Sequence, residues 1–143
     1  MFTLAKNFIL NFKDELKHRI QTALSLLDNC TICPRRCGVN RSLGETGFCG
    51  VGQLARVASA HLHFGEEESL VGQGGSGTIF FSGCNLGCVF CQNQDIRRDA
   101  TSGQEVTALE LARIMVALQE QGAENINFVT PTHVTPRILE SLP

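Results

Sequence analysis

Residues 78–94 read TIFFSGCNLGCVFCQNQ. An apolar run from Thr78 to Ser82 stops at a glycine and gives way to three cysteines. The run is short and rich in β-branched and aromatic residues, as a buried strand is. Cys84, Cys88 and Cys91 come next at spacing C-x3-C-x2-C, with no fourth cysteine close behind. Their segment is a glycine-containing loop, not an apolar face that would bury three thiols as packing.

Downstream the pattern changes period. Residues 107–121, TALELARIMVALQEQ, predict a helix. Thr107 and Glu110 make a capping box, Gly122 is a fitting stop, and Leu111, Ile114, Met115 and Leu118 form the buried stripe. NINFVT, 125–130, predicts a second buried strand, and TPTH comes after it. Thr135-Pro136 reads as an N-cap and first helical position, opening another helix. A strand–helix–strand–helix order implies parallel strands in an α/β sheet or barrel. Chemistry in such folds gathers at the C-terminal ends of the strands. Both the cysteine loop and TPTH are therefore expected on one rim.

Upstream, LARVASAHLHF, 54–64, alternates as a strand does. His61 and His63 share one face of it, and packing or surface placement is favoured over metal binding because local spacing brings them no cysteine or carboxylate. Gly72, Gly74 and Gly77 spell G-x-G-x-x-G within an expected loop. That glycine pattern binds dinucleotides when it follows a strand and opens a helix. Here it precedes a strand, so it is rejected as a phosphate site. Residues 30–53 are a long loop with Cys30, Cys33, Cys37 and Cys49 at C-x2-C-x3-C-x11-C. A loop of that length in a small domain needs something to hold it. Four thiolates can close a zinc site or hold an auxiliary cluster; a plain structural or redox thiol group is the other reading. Residues 2–28 predict a docking helix with apolar positions Leu16, Ile20, Ala23, Leu24 and Leu27. The chain thus divides into a helix with a cysteine-rich segment, 1–53, and an α/β portion, 54–143.

The totals exclude several classes. The chain has 143 residues, enough for one ordinary domain. With 43% hydrophobic and 18% charged residues it is globular in composition, not disordered. A net charge of -2 steers it to neither nucleic acid nor membrane. Arg35-Arg36, Arg97-Arg98 and the Glu66–Glu68 run read as solvated faces. No run approaches the roughly 20 apolar residues of a membrane span. The N-terminus lacks a clean apolar stretch with a small-residue cleavage site. The expected location is cytoplasmic, with thiols reduced and available to metal.

Structural zinc takes four protein ligands. A [4Fe–4S] cube likewise takes four thiolates, one per iron. Three cysteines leave one iron with open coordination, which is a place for substrate or cofactor.

C-x3-C-x2-C with Phe90 just before the last cysteine resembles the signature of the radical S-adenosylmethionine superfamily. NCTICPRRCGVNR, GETGFCGVG, GSGTIFFSGCNLGCVFCQNQDI and NINFVTPTHVTPRIL extend the resemblance from about Asn29 to the end. Together they resemble a subfamily related to pyruvate formate-lyase activating enzymes. The resemblance implies that Cys84, Cys88 and Cys91 each ligate one iron of a [4Fe–4S] cluster. S-adenosylmethionine would chelate the fourth iron, and Phe90 would lie near its adenine. Reductive cleavage of that cofactor would give a 5′-deoxyadenosyl radical for hydrogen abstraction, with a low-potential electron donor and a protein partner as substrate. Many relatives carry a Gly-Gly-Glu type segment after the second strand. This chain has TPTH, so Thr130, Thr132 or His133 takes that place, a structural role for His133 being the alternative.

The resemblance also implies a fold, a partial (β/α)6 TIM-like barrel, of which this chain is the N-terminal part. The residues after Ser76 suffice for about two βα units at roughly 30 residues each. Two units cannot close a barrel, so exposed strand edges and aggregation are expected. Two functions stay apart on these grounds: a radical S-adenosylmethionine enzyme of activating type, and a non-catalytic metal-binding fragment lacking the substrate half of the barrel. A zinc-only module is a weaker third.

Overall fold

The computed structural model describes residues 2–142, with side chains from Lys13 onward. In chain order the elements are α1 (Phe2–Ser25), β1 (Ala55–His63), α2 (Glu68–Val71), β2 (Ser76–Phe81), α3 (Gln94–Arg98), β3 (Gln104–Val106), α4 (Ala108–Glu120), β4 (Asn125–Val129) and α5 (Thr135–Glu140). Short 3-10 turns lie at Arg41–Leu43, Ala100–Ser102 and Thr132–Val134.

The four strands make one mixed sheet in the order β3-β1-β2-β4. β2 and β4 run parallel, from Ser76 opposite Asn125 to Phe80 opposite Val129, with α4 between them in sequence. β1 lies antiparallel to both β2 and β3. A register shift between Val57 and Ser59 bends β1, as a bulge does. The sheet is therefore α/β in its β2–α4–β4 half and antiparallel in the other. β3, three residues long, lies between Gly103 and Thr107 and carries too little pattern to be read as a strand from sequence.

The capping box at Thr107 forms as the sequence predicts. The Thr107 hydroxyl accepts the Glu110 N–H, and Glu110 Oε2 accepts the Thr107 N–H at 2.7 Å. These bonds hold the Glu110 carboxyl below the usual carboxylate range. Leu111 and Leu118 are buried under the sheet, and Ile114 and Met115 pack at the edge of the same core. Burying each leucine contributes roughly 1.5–3 kcal/mol. They meet Ile79 and Phe81 of β2, Val57 of β1 and Val134 and Ile138 near the C-terminus. Phe81 and Phe128 stand 5.9 Å apart, joining the parallel strands through their rings. Val51, from the cysteine-rich segment, is fully buried in that core.

Three local expectations are corrected. The glycine-rich stretch 65–77 holds one helical turn, α2, where a plain loop was expected. Gly72 to Gly77 nevertheless leads into β2 and opens no helix, so a phosphate cradle has no helix N-terminus to use. At the last helix, Val134 is the N-cap and Thr135 is already helical, because the preceding 3-10 turn sets the backbone one residue early. The first helix ends at Ser25 rather than at 28, and Leu27 lies buried in the turn beyond it. On α1, Ile20 is buried and Leu16, Ala23 and Leu24 are half-buried. That face packs against α5.

Candidate metal centre

β2 and β4 end on the same rim. Beyond Phe81 the chain turns at Gly83, whose φ of +73° suits glycine. A Cβ there would collide with the Cys49 carbonyl oxygen and crowd Val51. The cysteine loop thus leaves the sheet at the point where the N-terminal segment crosses it, and no larger residue fits between them. Cys84 is buried, while Cys88 and Cys91 are half-buried. The Leu86 N–H donates to Cys84 Sγ at 3.3 Å, the kind of hydrogen bond to sulfur that tunes an iron–sulfur centre. Val89 and Phe90 project outward, 92% and 84% exposed.

Cys84 and Cys91 line one cavity with Phe81, Val129, Thr130 and Arg97. Thr130 has φ +54°, an uncommon conformation for a residue with a branched Cβ. Such strain collects at functional sites. Arg97 departs from the solvated face expected of Arg97-Arg98. Arg98 is exposed, but Arg97 is half-buried and its Nε is enclosed with no hydrogen-bond partner. A buried guanidinium donor left unpaired costs free energy until an acceptor meets it. It is therefore a ready anchor for an anionic group. Sequence reading missed it because its partner surface is assembled only by folding.

The four other cysteines come together. Cys30, Cys33, Cys37 and Cys49 line a single cavity with Arg35, Arg41, Phe48, Asn85 and His133. Burial pushes the Cys49 thiol up from its ordinary value, with the Val51 backbone N–H acting the other way. This segment is fastened to the rim by two arginines. Arg35, also read as solvated, donates from Nε to the Asn85 carbonyl and from Nη2 to the Leu86 carbonyl, both at 2.9 Å. Its guanidinium carbon lies 3.7 Å from the centre of the Phe48 ring. Arg41 is 1% exposed. It donates to the carbonyls of Gly52 and His133, each at 2.8 Å.

The remaining candidates scatter. Thr132 is exposed at the start of the 3-10 turn. His133 is 1% exposed and turned inward, with Nε2 3.1 Å from the Ser82 carbonyl. Burial holds its pKa below the ordinary value, against the raising effect of that carbonyl. His133 lines the cavity of the first four cysteines, whereas Thr130 lines that of Cys84 and Cys91. His61 stacks on Phe80, ring centres 5.5 Å apart, and so serves packing on the sheet face opposite α4. Among the described residues no three His, Cys, Asp or Glu side chains are grouped so as to hold a metal ion as they stand. The donor chemistry at the rim still fits an iron–sulfur cluster: three thiols on one loop, an N–H bond on one sulfur, and a half-buried guanidinium with an enclosed, unpaired Nε lining the same cavity.

Comparison with known proteins agrees at that level. Residues 70–131 match the family described as a 4Fe-4S single cluster domain, which fits an iron–sulfur protein. The matched span contains Cys84, Cys88 and Cys91 and leaves out Cys30, Cys33, Cys37 and Cys49. An uncharacterized protein of Methanocaldococcus jannaschii is 38% identical over 132 residues, covering 87% of this chain and 37% of that protein. The chain thus spans a little over a third of the length of this relative. No solved structure matches it. No helix among the described residues is long and apolar enough to cross a membrane.

Proposed function

We propose that the chain is a radical S-adenosylmethionine iron–sulfur protein of activating-enzyme type, its [4Fe–4S] cluster held by Cys84, Cys88 and Cys91. The observation that carries this reading is a three-thiol loop, without a fourth cysteine, at the C-terminal end of β2 and beside Thr130 at the end of β4. When bound, the cluster supplies the electron that cleaves S-adenosylmethionine to a 5′-deoxyadenosyl radical for hydrogen abstraction.

The chain's own residues supply position. Cys84, fixed by burial and by the Leu86 N–H, anchors the loop at its sheet end. Arg35 holds the backbone between Cys84 and Cys88 through the carbonyls of Asn85 and Leu86. Arg97 offers its unpaired Nε to the cofactor carboxylate. Thr130, with its strained backbone in the cavity of Cys84 and Cys91, would meet the amino group of the cofactor, and Phe90, with its exposed ring, would meet the adenine. In this reading β2 and β4 are the first parallel strands of a partial (β/α)6 barrel. A low-potential electron donor and a protein substrate complete the reaction in the cytoplasm. One observation favours a second reading, a non-catalytic metal-binding fragment: the matching family is described by its cluster alone, a 4Fe-4S single cluster domain.

Electron paramagnetic resonance on the anaerobically reconstituted, reduced chain separates them. A [4Fe–4S]⁺ signal that changes on adding S-adenosylmethionine, with release of 5′-deoxyadenosine, supports the enzyme. A signal indifferent to the cofactor leaves the fragment. No cluster signal, with reconstitution controls sound, overturns the enzyme and the cluster assignment at the rim.

A further inference from the structure

We propose that Cys30, Cys33, Cys37 and Cys49 bind one structural zinc ion, at a site separate from the rim cysteines. Three observations converge on it. First, folding brings all four thiols to one cavity, although Cys49 is distant in sequence from Cys30. The backbone is shaped for that approach. Gly47 lies so close to Cys37 that a Cβ would sit 2.7 Å from Cys37 Sγ, and the turns at Gly38 and Gly50 have φ of +69° and +72°.

Second, the cavity the four thiols line is small, with room for about one water-sized body, and four thiolates complete the shell of a single zinc ion with no position left open.

Third, Arg41 is a buried cation without an anionic partner. Its bonds run to two backbone carbonyls, and its Nη1 stands 4.0 Å from Cys30 Sγ. Among the described residues it joins no ion pair with a carboxylate. A guanidinium stays charged in a protein, and an unpaired buried charge is costly. Four thiolates on one zinc ion form a doubly negative centre, and the nearest sulfur is already beside the guanidinium. Arg41 is thus the counter-ion the site needs. As they stand, among the described residues no three of the thiols are grouped to hold an ion, so binding requires their side chains to close on it. The same arginine holds the His133 carbonyl, and His133 meets the Ser82 carbonyl two residues before Cys84. Zinc therefore braces the segment on which the rim rests, a long loop whose only regular structure among the described residues is the 3-10 turn at Arg41–Leu43.

The test is zinc content and zinc-edge X-ray absorption, which is blind to iron. It is applied to the unsubstituted chain and to the chain carrying Cys84→Ser, Cys88→Ser and Cys91→Ser together. The expected result is about one zinc per chain in both, with four sulfur neighbours at about 2.3 Å. Cys33→Ser with Cys37→Ser abolishes it. Zinc absent with these four cysteines free or disulfide-bonded overturns the proposal. So does zinc lost with the rim cysteines, or iron retained in the rim-substituted chain. If the rim-substituted chain does not fold, the unsubstituted chain decides: four sulfurs support the site, while nitrogen or oxygen coordination or no zinc overturns it. Failure of the rim cluster leaves this reading intact, because the two sites share no ligand.

Discussion

Arg35 does more for the rim than its exposed position in the sequence suggests. It is the bridge between the two cysteine segments, donating to two successive carbonyls of the loop that carries Cys84 and Cys88. Removing it leaves the thiols intact and loosens the backbone that presents them. Groups that orient metal ligands from behind typically change metal affinity by 10–100-fold. We expect Arg35→Ala to fold, to accept a cluster, and to lose iron to a chelator roughly 10-fold faster than the parent chain. The check is the decay of cluster absorbance under anaerobic chelator challenge. Equal decay rates would show that the clamp does not act on the cluster. Arg97 makes a different contribution, since its Nε has no protein partner. Arg97→Ala is expected to keep the reduced cluster signal and to weaken its response to S-adenosylmethionine, read as a higher cofactor concentration at half effect. An unchanged titration would remove Arg97 from the proposed cofactor site.

α4 holds β2 and β4 in the parallel arrangement that builds the rim, and its first turn is where it is secured. Thr107→Ala removes the capping hydroxyl and should cost about 1 kcal/mol in denaturant unfolding. The cluster loop, which makes no hydrogen bond to this turn among the described residues, should keep its spectrum. The partner carboxylate adds a pH signature. Glu110 has its folded pKa depressed by the Thr107 bonds. Its contribution is then complete above the ordinary carboxylate pKa of about 4.3 and is lost as pH falls through the lower folded value. The stability gap between the parent chain and Glu110→Gln should therefore narrow on acidification below that pH. A constant gap would mean that the box does not bind the charged form preferentially.

Across the whole molecule, the sheet ends in β3 on one side and β4 on the other. β3 is three residues long, which blunts its edge. β4 carries Ile126, Phe128 and Val129 in a parallel edge with no further strand beside it among the described residues. An apolar edge strand is a template for pairing with another chain. The isolated chain should self-associate with rising concentration in sedimentation velocity, and Asn127→Lys, a charge at the centre of β4, should reduce it. Equal association of both chains would show that β4 is not the contact.

Much of this was legible in local pattern. The β2 run, the capping box of α4 and the β4 run each carry a signal over their own length; the box and β4 appear where it puts them, and β2 starts two residues earlier, at Ser76, and ends at Phe81. Thr135 misled by one residue because a 3-10 turn, invisible to propensity, had already set the helix register. β3 and α3 were illegible because three to five residues cannot display a period. The roles of Arg35, Arg41 and Arg97 were hidden for a different reason. An arginine looks solvated in any linear window, and the carbonyls that Arg35 and Arg41 meet lie up to 92 residues away.

The sequence by itself determined the donor sets: three thiols in one loop, four in another, and a strand–helix–strand unit to carry the first. These depend on residue type and short spacing, which the chain specifies without folding. Only the tertiary structure decided that the N-terminal cysteines converge on one cavity, that His133 faces them while Thr130 faces Cys84, and that arginines tie the two groups together. Those are long-range contacts, and their geometry exists only once burial of the shared core has fixed the segments against each other.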